Sequence, residues 1–250
     1  MSASLYPFAS PVFAAEGSAS ASSSGPTVVL VHGAWADGSC WEYVIPHLHD
    51  AGLKVVAVQN PLSSLDADVA NVTRVLDDIE GDILLVGHSY GGVVISEVGN
   101  HPRVVGLVYV TAFAPAPGQS INSLLASAPE APPWVGLLHA DAGGWVTWPA
   151  EAMATWFATG LSPERQAVLA ATQHPTFYQV NDGAVGEVAA WTVRPTTYVI
   201  ATQDQIIPPP LQHMFAEAMN AEVVEVDGGH LVMLNQPDAV AAAIVSAAGR

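Results

Sequence analysis

The chain has 250 residues, of which 50% are hydrophobic and 12% are charged. This composition indicates a compact globular protein and excludes a disordered one, and the length fits a single α/β domain with a small insertion. Twenty-three acidic against six basic residues give a formal net charge of -17. That charge repels phosphate backbones and anionic lipid, so we expect no nucleic-acid partner and no acidic-membrane partner.

Residues 1–26 are rich in Ser, Ala, Pro and Gly, which predicts a flexible arm outside the fold. Residues 12–15 resemble the end of an export signal, but the arm has no basic n-region and Pro7 and Pro11 break its apolar core. A cytoplasmic location is therefore favoured over export. No apolar run approaches the ~18–20 residues of a membrane helix, so no membrane insertion is predicted. Cys40 is the only cysteine, which excludes an intramolecular disulfide and a cysteine metal cluster.

From residue 27 onward, short buried strands alternate with amphipathic helices. Strands are predicted, in chain order, at 27–31, 55–58, 83–86, 104–110, 196–201 and 222–226. Helices are predicted at about 39–51 and 66–79, directly after residue 91, and at about 211–219 and 237–248. Strands without polar alternation, separated by helices, indicate a mostly parallel sheet that is covered on both faces. We therefore predict an α/β domain over residues 27–250.

Between about residues 114 and 192 this alternation is interrupted. Eight prolines separate short helical pieces there, and five of the seven tryptophans of the chain lie in this segment. An apolar helical insertion into an α/β chain predicts a lid over an active site. We expect most of these tryptophans to pack the insertion onto the sheet, with one or two facing a substrate pocket. The predicted pocket residues are Trp35, Trp134, Trp156 and Leu231.

Residues 87–91, Gly-His-Ser-Tyr-Gly, have the G-x-S-x-G pattern of a nucleophile elbow, with a strand before it and a helix after it. A serine on such a sharp turn has a strained backbone, and a Cβ at Gly87 or Gly91 would crowd the strand against the helix. The start of the helix also directs free N–H groups toward the oxygen of Ser89. The alternative is a glycine-rich βα turn with an inert serine, and the flanking strand and helix favour the elbow.

A serine hydroxyl is a poor nucleophile unless a base takes its proton and a carboxylate orients that base. On such an elbow the expected chain order is serine, acid, histidine. His230 follows the last strand in a glycine-flanked loop, and we predict that it is the base for Ser89. Asp204, three residues beyond a strand, is the predicted acid. Asp227 is the rival but lies very close to the histidine along one loop, and Asp182 is a more distant alternative.

The first predicted strand ends at His32-Gly33-Ala34, beside the elbow. We predict that the backbone N–H groups of Ala34 and Tyr90 form an oxyanion hole. The alternative is an ordinary strand-to-loop turn. His32 and His88, which adjoin the two turns, are expected to shape them rather than to act as bases.

Four motifs carry a family resemblance that extends from Thr27 to Arg250. They are Val-Leu-Val-His-Gly-Ala-Trp, Gly-His-Ser-Tyr-Gly-Gly, Ala-Thr-Gln-Asp-Gln-Ile-Ile-Pro-Pro and Gly-Gly-His-Leu-Val-Met-Leu. With them the chain resembles the α/β-hydrolase superfamily, and more narrowly its small-lid branch of bacterial carboxylesterases, plant methyl-ester esterases and hydroxynitrile lyases. The resemblance implies the α/β-hydrolase fold, with Ser89 as nucleophile, His230 as base, Asp204 as acid, no cofactor and no metal.

Two positions bear on the choice between esterase and lyase. Lyases of this branch place a lysine after the catalytic histidine, where its charge handles the cyanide, and a threonine after the first-strand histidine. Here Leu231 and Gly33 stand at those positions, which favours hydrolysis. Epoxide hydrolases and dehalogenases of this scaffold attack with an aspartate, so Ser89 argues against both.

We therefore expect a carboxylesterase-type serine hydrolase that forms an acyl-enzyme. Arg165 and Arg194 are the only basic candidates for holding a charged substrate near the insertion, so small to medium, mainly neutral esters are the expected substrates. The alternatives left open are a hydroxynitrile-lyase-like C–C lyase, a lactone or amide hydrolase, and a non-catalytic small-molecule receptor. The sequence carries no signal for an oligomeric state.

Overall fold

The structure, a computed structural model, describes residues 25–127 and 130–249. The predicted arm at residues 1–26 lies outside the described residues except for Gly25 and Pro26. The described residues form nine strands: β1 (Thr27–Val31), β2 (Val55–Val58), β3 (Ile83–Ser89), β4 (Val104–Ala112), β5 (His139–Ala140), β6 (Trp145–Thr147), β7 (Thr176–Phe177), β8 (Thr196–Ala201) and β9 (Glu222–Val226). They also form nine α-helical segments: α1 (Val44–Asp50), α2 (Leu65–Asp77), α3 (Gly91–Val98), α4 (Ile121–Ser127), α5 (Ala150–Ala152), α6 (Pro163–Thr172), α7 (Pro209–Ala218), α8 (Val232–Asn235) and α9 (Pro237–Ala248).

Six of these strands make the central sheet, in the order β2-β1-β3-β4-β8-β9, and each neighbouring pair is parallel. All residues of β3 are buried, as expected for a strand that is covered on both faces. The prediction of a parallel α/β sheet is therefore confirmed. Because the strands are parallel, all their carboxyl ends lie at one edge, where open α/β sheets bind ligands.

The helices pack on this sheet, α1 against α9 and α2 against α3, with α3 also contacting β3. The predicted continuous helix at 39–51 is instead a 3₁₀ turn (Gly38–Trp41) followed by α1. Pro46 explains the division, because proline has no N–H for the bond that a longer helix would require there. In the structure Pro46 lies in the first turn of α1, where no such bond is needed.

The insert, which we define as residues 114–192, lies between β4 and β8. It contains α4, α6 and several short helical turns, but also a three-stranded antiparallel sheet in the order β5-β6-β7. The expectation of a purely helical insertion is thus incomplete. Strands of two or three residues are too short to show an alternation of apolar and polar residues, so the sequence does not predict them.

Among the described helices, none combines the length and the apolar character that a bilayer crossing requires.

Candidate active site

The predicted elbow is a sharp turn at the carboxyl end of β3. Ser89 has a φ of 53°, which is the left-handed region that non-glycine residues rarely occupy. A Cβ added at Gly87 would lie 2.6 Å from the carbonyl oxygen of Gly91, and one added at Gly91 would lie 2.5 Å from that of Val31. Only glycine fits at either position, so the close approach of strand and helix around Ser89 depends on both glycines.

Three of the predicted side chains meet at this edge of the sheet. Nε2 of His230 lies 2.9 Å from Oγ of Ser89, and Nδ1 of His230 lies 2.9 Å from Oδ2 of Asp204. Because a carboxylate only accepts hydrogen bonds, Nδ1 carries the ring proton and donates a hydrogen bond to Asp204. Nε2 then carries no proton, and it accepts a hydrogen bond from the hydroxyl of Ser89. All three side chains are buried, with residues 89, 204 and 230 exposed by 3%, 3% and 0%.

The carboxylate of Asp204 is held by several further donors. Its Oδ1 accepts from the backbone N–H groups of Ile206 and Ile207, at 2.7 and 3.1 Å. Its Oδ2 accepts from Nε2 of Gln212 at 3.1 Å and from the hydroxyl of Thr111. These bonds fix the orientation of the carboxylate and satisfy its charge in a buried site. Sequence reasoning missed Thr111 and Gln212, although Thr111 lies at the carboxyl end of β4, where site residues are expected.

The two rival acids lie elsewhere. Oδ1 of Asp227 accepts from Nε2 of Gln203 at 2.6 Å, and its side chain is exposed. Asp182 accepts from Nδ2 of Asn122 at 2.6 Å within the insert. In the described residues neither carboxylate contacts His230, so the geometry joins the imidazole to Asp204 alone.

The predicted oxyanion donors flank the serine. A Cβ at Gly33 would lie 2.6 Å from the Cβ of Ser89, so the turn that carries Ala34 lies directly against the serine. Tyr90 is the N-cap residue of α3, which directs its backbone N–H out of the helix start. Within residues 25–127 and 130–249, neither Ala34 nor Tyr90 donates its backbone N–H to a protein acceptor. Both donors are thus available to an oxygen bound beside Ser89.

The side chain of Tyr90 is anchored by a residue that sequence reasoning missed. Its hydroxyl donates to Oδ2 of Asp68 at 2.8 Å, and Oδ1 of Asp68 accepts the backbone N–H of Leu62 at 2.9 Å. Burial raises the pKa of the Asp68 carboxyl from 3.8 to about 6. The sequence did hold a signal, because Asp68 lies on the same i, i+4, i+8 stripe of α2 as the buried Val72 and Leu76.

The two histidines beside the turns have structural contacts. Nε2 of His32 accepts the N–H of Asn60 at 2.9 Å, and its Nδ1 donates to the carbonyl of Gly33 at 2.8 Å. Burial lowers the pKa of His32 to about 4, so its ring is neutral at pH 7. Burial also lowers the pKa of His88 well below its usual value, and its Nε2 donates to the carbonyl of His230 at 2.9 Å. Both rings brace the turns around the serine.

Aromatic rings of the insert cover the imidazole. The Phe157 ring lies 5.1 Å from that of His230, and Trp148 lies 5.8 Å from Phe157. Trp35 and Trp134 pack on Trp148 at 5.5 and 5.9 Å. Trp35 and Trp134 were predicted pocket residues, whereas Trp148 and Phe157 were not. Phe157 ends a π-helical turn, Met153–Phe157, which has no recognisable sequence pattern.

A cavity of about 140 Å³ adjoins this cover. Its lining is mainly apolar and includes Trp35, Trp134, Val146 and Phe177. The predicted pocket residues Trp156 and Leu231 do not line it: Trp156 is half-buried on the insert, and Leu231 is buried directly after the imidazole.

A larger cavity, of about 880 Å³, lies at the opposite edge of the sheet, and its lining includes Thr27 and Thr197 at the amino ends of β1 and β8. It is far from the carboxyl ends of the strands, so it is not where the three buried side chains meet.

The two basic residues considered as contacts for a charged substrate are engaged elsewhere. Arg165 forms an ion pair with Glu42 and lies 5.8 Å from the centre of the Tyr43 ring. Arg194 donates to the carbonyl oxygens of Gly99 and His101, at 3.2 and 3.3 Å. Across the described parts of the chain, no group of His, Cys, Asp and Glu gathers in a way that could hold a metal ion.

Comparisons with known proteins agree with this architecture. A model of the alpha/beta hydrolase family matches residues 28–243. The chain is 39% identical over 131 residues to a carbendazim hydrolyzing esterase of Nocardioides sp. (strain SG-4G), covering 46% of this chain and 54% of that protein. It is 37% identical over 106 residues to a pyrethroid hydrolase of Sphingobium wenxiniae, covering 36% of this chain and 37% of that protein.

The chain thus aligns with about half or less of the length of these two relatives. Among solved structures, polyneuridine aldehyde esterase superposes with a TM-score of 0.76 at 21% identity, covering 88% of this chain and 98% of that one. At 21% identity this superposition supports the similarity of the fold alone.

Proposed function

This chain belongs to the alpha/beta hydrolase family, and we propose that it is a serine carboxylesterase that cleaves small to medium, neutral esters through an acyl-enzyme. The observation that carries the proposal is the buried chain of hydrogen bonds from Asp204 through His230 to Ser89, with 2.9 Å at each step. Such a chain activates a hydroxyl for attack on a carbonyl carbon. The names of its relatives, which include a carbendazim hydrolyzing esterase and a pyrethroid hydrolase, support ester hydrolysis.

In the proposed mechanism, the oxygen of Ser89 attacks the ester carbonyl while Nε2 of His230 takes the hydroxyl proton. Asp204 stabilises the resulting imidazolium, and the N–H groups of Ala34 and Tyr90 hold the tetrahedral oxyanion. The C–O bond to the alcohol then breaks, and the alcohol leaves with the proton from the imidazolium. A water molecule repeats the sequence on the acyl-enzyme, which releases the acid and restores the serine.

The surroundings of the site favour neutral substrates. The cavity beside the cover is small and mainly apolar, and Arg165 and Arg194 are both engaged with protein groups. We also propose that the insert acts as a lid, because its Phe157 packs on the imidazole of His230, which is 0% exposed, and its Trp148 packs on Phe157. Closure of such a cover excludes water from the reacting groups.

The residues at two positions disfavour the C–C lyase alternative. Leu231, directly after His230, is apolar and 1% exposed, so it offers no charge for a cyanide leaving group. A side chain at Gly33, where the lyases have a threonine, would meet the Cβ of Ser89 at 2.6 Å. Hydrolysis is the chemistry that these residues fit.

Replacement of the nucleophile tests the proposal. Ser89→Ala should lower kcat on p-nitrophenyl acetate by about 10⁶, because other serine hydrolases lose about that much without the nucleophile. A fluorophosphonate probe should label the unchanged chain and leave Ser89→Ala unlabelled, with thermal unfolding as the control for folding. Turnover that survives the substitution in a folded variant would exclude Ser89 as the nucleophile.

A further inference from the structure

Strand β7 of the insert is hydrogen-bonded to the neighbour of one proposed oxyanion donor and is linked to the other through two further residues. On one side, Trp35 donates its backbone N–H to Oγ1 of Thr176 at 3.0 Å. On the other side, the N–H of Phe177 donates to the carbonyl of Leu62 at 2.9 Å, and Leu62 binds Asp68, which anchors Tyr90. Of these two links, the bond from Trp35 to Thr176 is the shorter route, because Trp35 directly follows Ala34.

The turn after Ala34 needs such support. Trp35 has a φ of 58°, and a bulky residue adopts this left-handed conformation only where surrounding groups impose it. Two of its three anchors are hydrogen bonds to the insert: the one to Thr176, and one from the indole Nε1 to the carbonyl of Val146 at 3.0 Å. The third is ring packing against Trp148 and Phe157, which also belong to the insert.

The N–H of Trp35 is closely coupled to that of Ala34. The two groups are separated only by the φ and ψ angles of Ala34, so an acceptor that fixes one N–H also limits the direction of the other. Thr176 is 2% exposed, and loss of its hydroxyl would leave the N–H of Trp35 buried without that acceptor. An unsatisfied buried N–H favours rearrangement of the turn toward another partner.

We propose that Thr176 is a positioning residue of the oxyanion hole: its hydroxyl holds the Trp35 N–H and thereby aims the N–H of Ala34 at the oxygen of the tetrahedral intermediate. This inference rests on the proposed esterase function. Its consequence is that the hole is complete only while β7 is docked on the turn. Docking of β7 then both covers the site and completes the oxyanion hole.

Two substitutions separate the hydroxyl from the size of the side chain. Thr176→Val keeps the shape and removes the acceptor, and Thr176→Ser keeps the acceptor and serves as the matched control. On p-nitrophenyl acetate, Thr176→Val should lower kcat about 10- to 100-fold, a fraction of the effect of deleting a donor outright. Its KM should stay within about threefold, and Thr176→Ser should stay within about threefold of the unchanged chain in both constants, because only the transition state uses the hole.

A thionoester gives the readout that a merely structural role would not move. The thiocarbonyl sulfur of p-nitrophenyl thionoacetate is a weak hydrogen-bond acceptor and gains little from the hole. The ratio of ester to thionoester kcat should therefore fall in Thr176→Val and stay unchanged in Thr176→Ser. If Thr176→Val is too unstable to assay, Thr176→Cys keeps the size with a weak sulfur acceptor, and its ratio should fall in the same way.

Three results would overturn the inference. A folded Thr176→Val with unchanged kcat and an unchanged ratio would show that the hydroxyl does not position the hole. An equal loss on ester and thionoester would assign Thr176 to packing alone. In both cases Ser89-dependent turnover by the unchanged chain would leave the esterase proposal standing, whereas the absence of such turnover would reject both proposals.

Discussion

At the scale of single residues, hydrogen-bond partners distinguish Asp204, the proposed acid, from its rival Asp227. Asp204 and Asp227 both lie in loops at the carboxyl edge of the sheet, but only Asp204 is buried and surrounded by donors from four other residues besides His230. Asp227 is exposed and accepts from neighbouring side chains. A buried carboxylate with a full set of donors is rigid, and rigidity is what an orienting group requires.

Amide substitutions test this difference. Asp204→Asn should lower kcat by about 10⁴, because an amide cannot accept every donor around it and favours the wrong tautomer of His230. Asp227→Asn is the matched control and should stay within about twofold. Steady-state kinetics on p-nitrophenyl acetate measures both. The reverse pattern would assign the acid to position 227.

At the scale of elements, a buried carboxylate joins two helices that flank the site. Asp68 on α2 accepts from Tyr90 at the start of α3 and from Leu62 in the loop before α2. Burial raises the pKa of its carboxyl from 3.8 to about 6. The folded chain therefore binds this proton more tightly than the unfolded chain, and between about pH 4 and pH 6 the contribution of Asp68 to stability falls as the pH rises.

Asp68→Asn should remove this dependence. The free energy of unfolding of the unchanged chain minus that of the variant should decrease by roughly 2 kcal/mol from pH 4 to pH 7, since one pKa unit corresponds to about 1.4 kcal/mol. Urea unfolding at a series of pH values gives both curves. Parallel curves would mean that the carboxyl titrates alike in the folded and unfolded chain.

At the scale of the whole molecule, the net charge bears on the proposed preference for neutral esters. The chain carries a formal net charge of -17, and the basic residues nearest the insert are paired or hydrogen-bonded to the protein. An anionic ester therefore meets a repulsive field during approach and finds no counter-charge from these residues. A field of this kind acts over about a Debye length and weakens as salt is added.

A comparison of a charged ester with a neutral ester of similar size tests for this repulsion. At low salt, kcat/KM for mono-p-nitrophenyl succinate, a half-ester with one negative charge, should be about tenfold below that for neutral p-nitrophenyl valerate. The gap should narrow several-fold between about 10 and 500 mM salt, because screening shortens the reach of the repulsion. The neutral ester is the internal control and should respond little to salt. If the ratio of the two kcat/KM values did not change with salt, contacts within the pocket, and not the overall charge, would explain the preference.

The sequence by itself determined the parallel sheet, the elbow and the candidate side chains Ser89 and His230. Those features depend on residues that are close together in the sequence. A buried strand is a continuous apolar run, and a side chain at Gly87 would clash with the backbone of Gly91, only four residues later. Even the choice of Asp204 came from its position beyond a strand.

Only the tertiary structure decided which partners surround these groups. The bond between Trp35 and Thr176 joins residues 141 positions apart, and the strands of the insert are too short to leave a periodic signal. Phe157 reaches the imidazole from a π-helical turn, and Thr111 and Gln212 meet at one carboxylate. Such contacts arise from how separate elements pack against each other, and packing is a property of the folded chain that no local spacing of residues encodes.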